Sequence, residues 1–280
     1  MQFEKIALSM RARVEAIRLL AGHRASSHAF SSLFLWGEEK GYEIMLSDEA
    51  FLVRGDGFYF FPCGSADGVF KILTELYQEN IPLTFRYARD EDFSAAGAVF
   101  GDRLSVVRDE NAREYLYDRA EQIAMQGKRF TYQRAKCNKA RRLGVIESHP
   151  LTRENAGIAK AITLRWAEGR DSLGDTDVTL RALDLMEELS LFGNLLYLDG
   201  DPVGFDLGTM IASDTLDIHI AKTLCDDVDT LMKLLWYESL PDAVTVINRE
   251  EDLGIRGLRM HKLDAQPMGY NETYTLTVLA

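Results

Sequence analysis

Between Asn194 and Lys222 the order of residues leaves the chain little choice of pairing. Two apolar runs, Asn194–Leu198 and Val203–Ile211, flank Asp199-Gly200-Asp201. Asp-Gly between such runs favours the left-handed turn that folds two strands into an antiparallel hairpin. Thr215–Lys222 follows at once and extends the meander by a third strand. A helix is predicted over Thr230–Leu240, stopped by Pro241, then a short apolar strand over Ala243–Ile247. A helix over Asn248–Asp264 and a strand over Thr273–Leu279 complete this half. Upstream of the hairpin, Val145–Pro150 reads as a strand, with Thr152–Trp166 and Val178–Leu191 as helices.

The first half gives a shorter version of the same order. A helix over residues 3–20, closed by Gly22, and an aromatic-rich apolar piece at Ser31–Trp36 come first. Strands over Tyr42–Ser47, Ala50–Arg54 and Gly57–Pro62 then form a meander, followed by a helix over Asp67–Glu79 capped by an Asp. Strands are expected at Leu83–Ala88 and Gly101–Val107. Tyr115–Gly127 reads as a turn and a short helix, and Arg129–Leu143 as a longer basic helix ending at Gly144. The class expected is α+β. Two related units are expected, each a mixed, mainly antiparallel sheet flanked by helices, over residues 1–125 and 126–280.

At 280 residues, 46% hydrophobic and 27% charged, the chain suits two globular domains. No apolar run approaches the roughly 20 residues of a membrane helix. The N-terminus lacks the apolar stretch of a signal peptide. Cys63, Cys137 and Cys225 are scattered, which suits reduced thiols in a cytoplasmic protein and suggests neither a metal site nor a disulfide framework.

Charge is informative once divided. Residues 1–127 hold 14 basic and 20 acidic side chains; residues 128–142 hold seven basic and no acidic ones. Residues 143–280 hold 11 basic against 24 acidic. A net charge of −12 opposes general nucleic-acid binding, DNA included, while the single basic island suits one phosphate-bearing ligand.

The element order of residues 194–280 resembles the GCN5-related N-acetyltransferase fold. Two segments carry a more specific resemblance. One is Tyr115-Leu116-Tyr117-Asp118 with Gly127-Lys128-Arg129-Phe130 and Gln133-Arg134-Ala135-Lys136-Cys137-Asn138-Lys139. The other runs Ile247-Asn248-Arg249-Glu250-Glu251-Asp252-Leu253-Gly254-Ile255-Arg256-Gly257-Leu258-Arg259-Met260-His261-Lys262, with Pro267 beyond. Together they look like a bacterial family grouped with the C-terminal domain of phosphatidylglycerol lysyltransferases.

This resemblance implies two tandem acetyltransferase-like domains, an arrangement shared with the peptidoglycan aminoacyl transferases. Such relatives move an aminoacyl group from a charged tRNA to an amine or hydroxyl. Acetyltransferases of this fold cradle the coenzyme A pyrophosphate on a glycine-rich turn at a helix N-terminus. Here that loop reads Leu224-Cys225-Asp226-Asp227-Val228-Asp229-Thr230, with no glycine and three acids, which argues against coenzyme A. The membrane spans of the lysyltransferases have no counterpart, so a lipid acceptor is not implied.

Several residues can carry chemistry, each with a structural alternative. In the basic helix, Arg129, Gln133, Lys136 and Lys139 share one line, and Arg134, Asn138, Arg141 and Arg142 another. They can meet a phosphate, or form a solvated face. Cys137 lies among these cations, which favour a thiolate. Asn248 can cap the helix that follows, with Glu251 at its third position, and Asp252 can pair with Arg256. That leaves Arg249 and Glu250 unexplained, and Gly254 and Gly257 as helix-interior glycines that suggest close approach of a backbone or ligand. Arg256, Arg259 and Lys262 recur every third residue and can face a carboxylate or phosphate. His219 and Lys222 lie on the strand that the resemblance puts in the cleft. His219 can act as a base, or pack as an ordinary buried histidine. Arg165 can face the cleft beside Trp166, which packs.

The expected activity is acyl or aminoacyl transfer, from a charged tRNA or an acyl-coenzyme A, to an amine or hydroxyl. His219 or Glu250 is the expected base. Arg134, Lys136, Arg165, Lys222, Asn248, Arg249, Arg256, Arg259 and Lys262 are the expected substrate or anion contacts. The alternatives are a degenerate transferase that only binds a small anion, and an RNA-contacting module built on residues 128–142.

Overall fold

The computed structural model describes residues 1–79, 82–168 and 175–279. They form two compact units. One comprises Met1–Glu114, Glu251–Gly254 and Tyr270–Ala280; the other comprises Tyr115–Glu250 and Ile255–Gly269. The sequence reading divides the chain at 125 and 126 and gives the C-terminal strand to the second half. The observed clusters divide after Glu114. The C-terminal strand Tyr274–Val278 belongs to the first unit, where it pairs with strands on both of its sides.

In the first unit β1 (Glu4–Lys5), β2 (Glu43–Leu46), β3 (Ala50–Gly55) and β4 (Phe58–Phe60) form an antiparallel series. The short β5 (Cys63–Gly64) pairs with β3. Then β4 pairs in parallel with β6 (Leu83–Ala88), and the C-terminal strand separates β6 from β7 (Leu104–Arg108). Helices α1 (Arg11–Leu20), α2 (Phe30–Lys40), α3 (Ala66–Gln78) and α4 (Phe93–Phe100) complete the unit. Leu52, Phe61, Leu73, Leu76, Phe85, Phe100 and Leu276 make its core. The cap of α3 is Ser65, whose hydroxyl accepts the Gly68 N–H, where the sequence reading expects an Asp.

The second unit repeats this plan. An antiparallel series joins β9 (Ile146–Leu151), β10 (Phe192–Leu198), β11 (Asp201–Ala212) and β12 (Thr215–Thr223). Then β12 pairs in parallel with β13 (Val246–Asn248), and β13 pairs with the antiparallel β8 (Glu114–Asp118). Asp199 and Gly200 adopt φ of 51° and 84°, as the hairpin turn requires. The helices are α5 (Arg119–Ala124), α6 (Thr131–Ala140), α7 (Ala156–Ala167), α8 (Thr176–Asp184), α9 (Asp229–Ser239) and α10 (Arg256–Asp264). Phe130, Cys137, Leu196, Leu231 and Met232 form a core between α6, α9 and the sheet.

Three expected elements differ. Residues 3–20 hold a strand and a 3-10 turn before α1 begins at Arg11. Tyr115–Asp118 is a strand, because Tyr115 and Tyr117 are fully buried and Tyr117 stands opposite Ile247. The helix expected from Asn248 begins only at Arg256, since Glu250, Leu253 and Gly254 have φ of 56°, 54° and 72°. A left-handed backbone at three of five residues cannot propagate a right-handed helix. Among the described residues no helix is long and apolar enough to cross a membrane.

Candidate functional site

The β11–β12 ladder slips by one residue at its centre. Leu207 stands opposite Ile220 and Gly208 opposite Ile218, so His219 is the extra residue of a bulge. A bulge re-aims the side chain it carries. Gly208 is required there, because a Cβ would sit 2.1 Å from the Asp217 carbonyl oxygen. His219 Nδ1 comes to lie 3.4 Å from Asp217 Oδ2 and 2.9 Å from Glu250 Oε1. Asp217 is fully buried, and the imidazole side chain is 4% exposed.

Glu250 reaches this position through a tight turn at the end of β13. Asn248 is buried, and its Oδ1 accepts the Glu250 N–H at 2.8 Å. An Asx turn of this kind stabilises the backbone two residues on. It helps hold Glu250 in a left-handed conformation that a side chain with a Cβ otherwise avoids. The Glu250 carbonyl accepts from the Tyr115 N–H at 3.1 Å and from Lys262 Nζ at 3.0 Å. Lys262 Nζ donates to the Arg249 carbonyl as well.

The Glu250 carboxylate at hydrogen-bond distance assigns the ring proton to Nδ1, with Asp217 Oδ2 farther off on the same side. Nε2 then presents its lone pair, and it is buried with no hydrogen-bond partner among the described residues. Asp217, His219 and Glu250 also offer three ligand atoms within 4.8 Å of one another. That spacing is compatible with one metal ion, which the sequence reading does not expect. Asp217 escaped that reading. Its signals are its place two residues before His219 and the glycine inside the facing strand, a mark of a bulge.

Arg249 points elsewhere. Its guanidinium donates to His261 Nε2 at 2.8 Å and lies 5.3 Å from the Tyr117 ring. Asp229 Oδ2 is 3.3 Å from the same His261 nitrogen, Asp229 pairs with Lys233, and Lys233 Nζ lies 3.4 Å from Asp206. Burial pushes the Asp206 carboxyl up to about 6 against the pull of Lys233. Burial opposes ionisation of Asp229 too, but the charge of Lys233 holds it well below the carboxylate range. A cavity of about 30 Å³ beside Gln133, Lys136, Arg249 and His261 has room for a water molecule. Arg249 is thus a half-buried network residue that lines this cavity.

The remaining expected contacts fall into separate places. Lys222 is buried against the Trp166 ring, 3.6 Å from its centroid, and pairs with Asp175. Arg165 is exposed and lines an open depression of about 260 Å³ with Trp166, Thr223 and Asp226. Arg134 donates to the carbonyls of Met125 and Gly127, which ties down the end of α5, so it serves the backbone first. Lys136 covers the Tyr132 ring at 4.8 Å. Lys139 donates to Asp227 at 2.8 Å. The Cys137 thiol is buried, and burial raises its pKa despite the cations nearby, so no thiolate is favoured.

Asn248 closes an Asx turn instead of capping a helix. Gly254 lies outside α10, where a Cβ would come within 3.1 Å of the Asn111 side chain, and Gly257 faces open space, so the expected close approach is found at Gly254 and not at Gly257. Arg256 is exposed, Arg259 half-buried and Lys262 buried, which breaks the common face expected of the three. The N-terminus of α9 carries Asp229, with Asp226 and Asp227 just before it.

A search of curated proteins finds no match. Several solved structures are similar. A conserved protein of unknown function from Bacteroides thetaiotaomicron is 23% identical, with 99% of each chain covered and a TM-score of 0.89. The L-PGS structure from Bacillus licheniformis is 16% identical over 99% of this chain and 93% of that one, at 0.69. A tandem GNAT protein from the clavulanic acid biosynthesis pathway is 12% identical over 99% and 97%, at 0.51. The fold is therefore the tandem GNAT-like one. The family described as phosphatidylglycerol lysyltransferase, C-terminal, matches residues 18–277, nearly the whole chain, and the chain belongs to that family.

Proposed function

We propose that the second unit transfers an acyl or aminoacyl group from an activated donor to an amine or hydroxyl, with His219 as general base. The observation that carries this reading is the 2.9 Å contact from His219 Nδ1 to Glu250 Oε1, with Asp217 beside it. Glu250 fixes the tautomer in which Nε2 is the basic nitrogen. As the acceptor attacks the donor carbonyl, Nε2 takes its proton, and the carboxylates stabilise the imidazolium that forms. The proton then passes to the leaving oxygen or sulfur, and the new amide or ester departs.

Aminoacyl-tRNA is the donor class favoured. The loop before α9 has no glycine turn for a coenzyme A pyrophosphate. Asp226, Asp227 and Asp229 stand there instead, the last two paired with Lys139 and Lys233. The chain's family name belongs to a lysyl transfer. The experiment is a transfer assay with tRNA carrying labelled amino acids and a panel of amine and hydroxyl acceptors, run beside acetyl-coenzyme A. Label should leave the tRNA for an acceptor faster than hydrolysis alone, and His219→Gln should slow this by roughly 10²–10⁴-fold. Transfer from acetyl-coenzyme A instead would replace the donor. No transfer from either, or full activity in His219→Gln, would sink the reading.

A further inference from the structure

We infer that Lys262 is a positioning residue that holds the Glu250 carboxylate against His219. The inference rests on the reading of His219 as the base.

A buried ammonium is stable only where its protons are taken up by acceptors. Lys262 is 5% exposed, and its Nζ donates to two successive carbonyls, those of Arg249 and Glu250. Nζ also lies 5.6 Å from the centroid of the Tyr115 ring. The helix that delivers it is anchored as well, because the Tyr117 hydroxyl donates to the Lys262 carbonyl at 2.8 Å. Both tyrosines sit on β8, and the Arg249 N–H donates to the Tyr115 carbonyl at 3.0 Å. The turn at 248–250 is therefore gripped on its N–H side by Asn248 and on its carbonyl side by the Tyr115 N–H and Lys262 together.

This grip matters because Glu250 takes a strained backbone conformation. Glu250 has a φ of 56°, a conformation that β-strand or helix formation would discard. A relaxed turn moves the Glu250 side chain away from a strand that is fixed by its ladder. His219 then keeps its place but loses the acceptor on Nδ1. A cation spaced twelve residues from Glu250 thereby acts on the base through the backbone and touches neither the ring nor a substrate.

The test reads the imidazole directly by ¹⁵N and proton NMR, in a chain with only five histidines. His219→Gln assigns the ring signals. The wild type should show a downfield, exchange-protected Nδ1 proton on His219 that vanishes in Glu250→Gln. Lys262→Met should lose the same resonance with its melting transition preserved, and Lys262→Arg, which can still donate to both carbonyls, should restore it. Where transfer is measurable, Lys262→Met should lower kcat about tenfold or more with KM unchanged. Lys262→Gln serves where the Met variant does not fold. An unchanged resonance in Lys262→Met, or in Lys262→Gln where that replaces it, overturns the inference. So does its absence in the wild type. Collapse of the melting transition in both also overturns it, because Lys262 would then hold the fold and not one carboxylate. A silent transfer assay with the resonance pattern intact would remove the proposed activity and leave the positioning role standing.

Discussion

Each unit carries a parallel strand pair at the same point of its plan, and the two are furnished differently. In the first unit β4 and β6 present aromatic rings: Phe58 stacks on Phe60 at 5.9 Å, and Phe60 meets Tyr87 at 4.6 Å. In the second, β12 and the turn after β13 present Asp217, His219 and Glu250. Both sheets place a left-handed residue near the end of the parallel partner, Tyr87 at 58° and Glu250 at 56°. One framework thus carries packed aromatic rings with Arg86 over two of them in one unit, and an acid–histidine cluster in the other.

Histidines make the same contrast. His23 and His28 are buried in the first unit with ring centroids 4.1 Å apart, and His28 Nε2 meets the Phe61 carbonyl at 2.9 Å. Burial is the first cause that drives both pKa values down, with the cations Arg89 and Arg18 adding to it; His28 falls to about 3. Those rings stay neutral. His219 is less deeply placed and has Glu250 at 2.9 Å and Asp217 at 3.4 Å from Nδ1. Burial alone keeps the first pair neutral, whereas the carboxylate beside His219 orients its ring.

The comparison breaks most sharply if the second unit is given the first unit's chemistry. His219→Phe should reduce aminoacyl transfer by roughly 10²–10⁴-fold while the circular dichroism spectrum is kept. Retained transfer in a folded His219→Phe protein would show that the base lies elsewhere.

Acid should act on the first unit's buried pair next. The folded state binds fewer protons than the unfolded chain at His28, whose pKa falls from 6.5 to about 3. Stability contributed by the neutral ring is complete above 6.5 and is lost as pH falls toward 3. Between pH 7 and 5 that loss is about 2 kcal/mol from His28, at 1.36 kcal/mol per pH step below the unfolded value. His23 shifts in the same direction and steepens it. Urea midpoints measured across that window should fall with pH, and His28→Phe should flatten the slope. A flat wild-type profile would contradict neutral burial.

Two glycines test whether the bulge belongs to the second unit's chemistry. Gly208→Ala drives a Cβ into the Asp217 carbonyl and should cost about 1–3 kcal/mol while displacing the His219 Nδ1 resonance. Gly97→Ala, in α4 where a Cβ meets nothing, should stabilise by about 0.5–1 kcal/mol. Equal effects on urea denaturation would remove the bulge from the account.

Much of this framework is legible in the sequence. The Asp199-Gly200-Asp201 turn and the alternating strands around it follow local rules, and Leu83–Ala88 is bounded as expected. His219 and Glu250 stand out as unusual residues on or beside apolar strands. Their meeting is not legible, because it depends on a one-residue slip and on three left-handed residues after β13. The cations mislead for a related reason. Spacing of three places Arg256, Arg259 and Lys262 on one helical line, yet burial differs along it, and Lys262 and Arg249 spend their donors inside the protein. Charge runs are visible in a sequence; the acceptors that neutralise them are brought by the fold.

The smallest effect is expected where the two left-handed residues are compared directly. Tyr87 shares a hydrogen bond with Tyr42 and is otherwise a packed ring, its ionisation suppressed chiefly by burial. Tyr87→Phe removes one hydroxyl and should cost about 1 kcal/mol or less in a urea titration, with transfer unchanged. Glu250→Gln changes as few atoms at the matching place, yet should lower kcat and shift the His219 resonance. If Tyr87→Phe slows transfer as much as Glu250→Gln, then the aromatic pair of the first unit takes part in the reaction, and its assignment as plain packing fails.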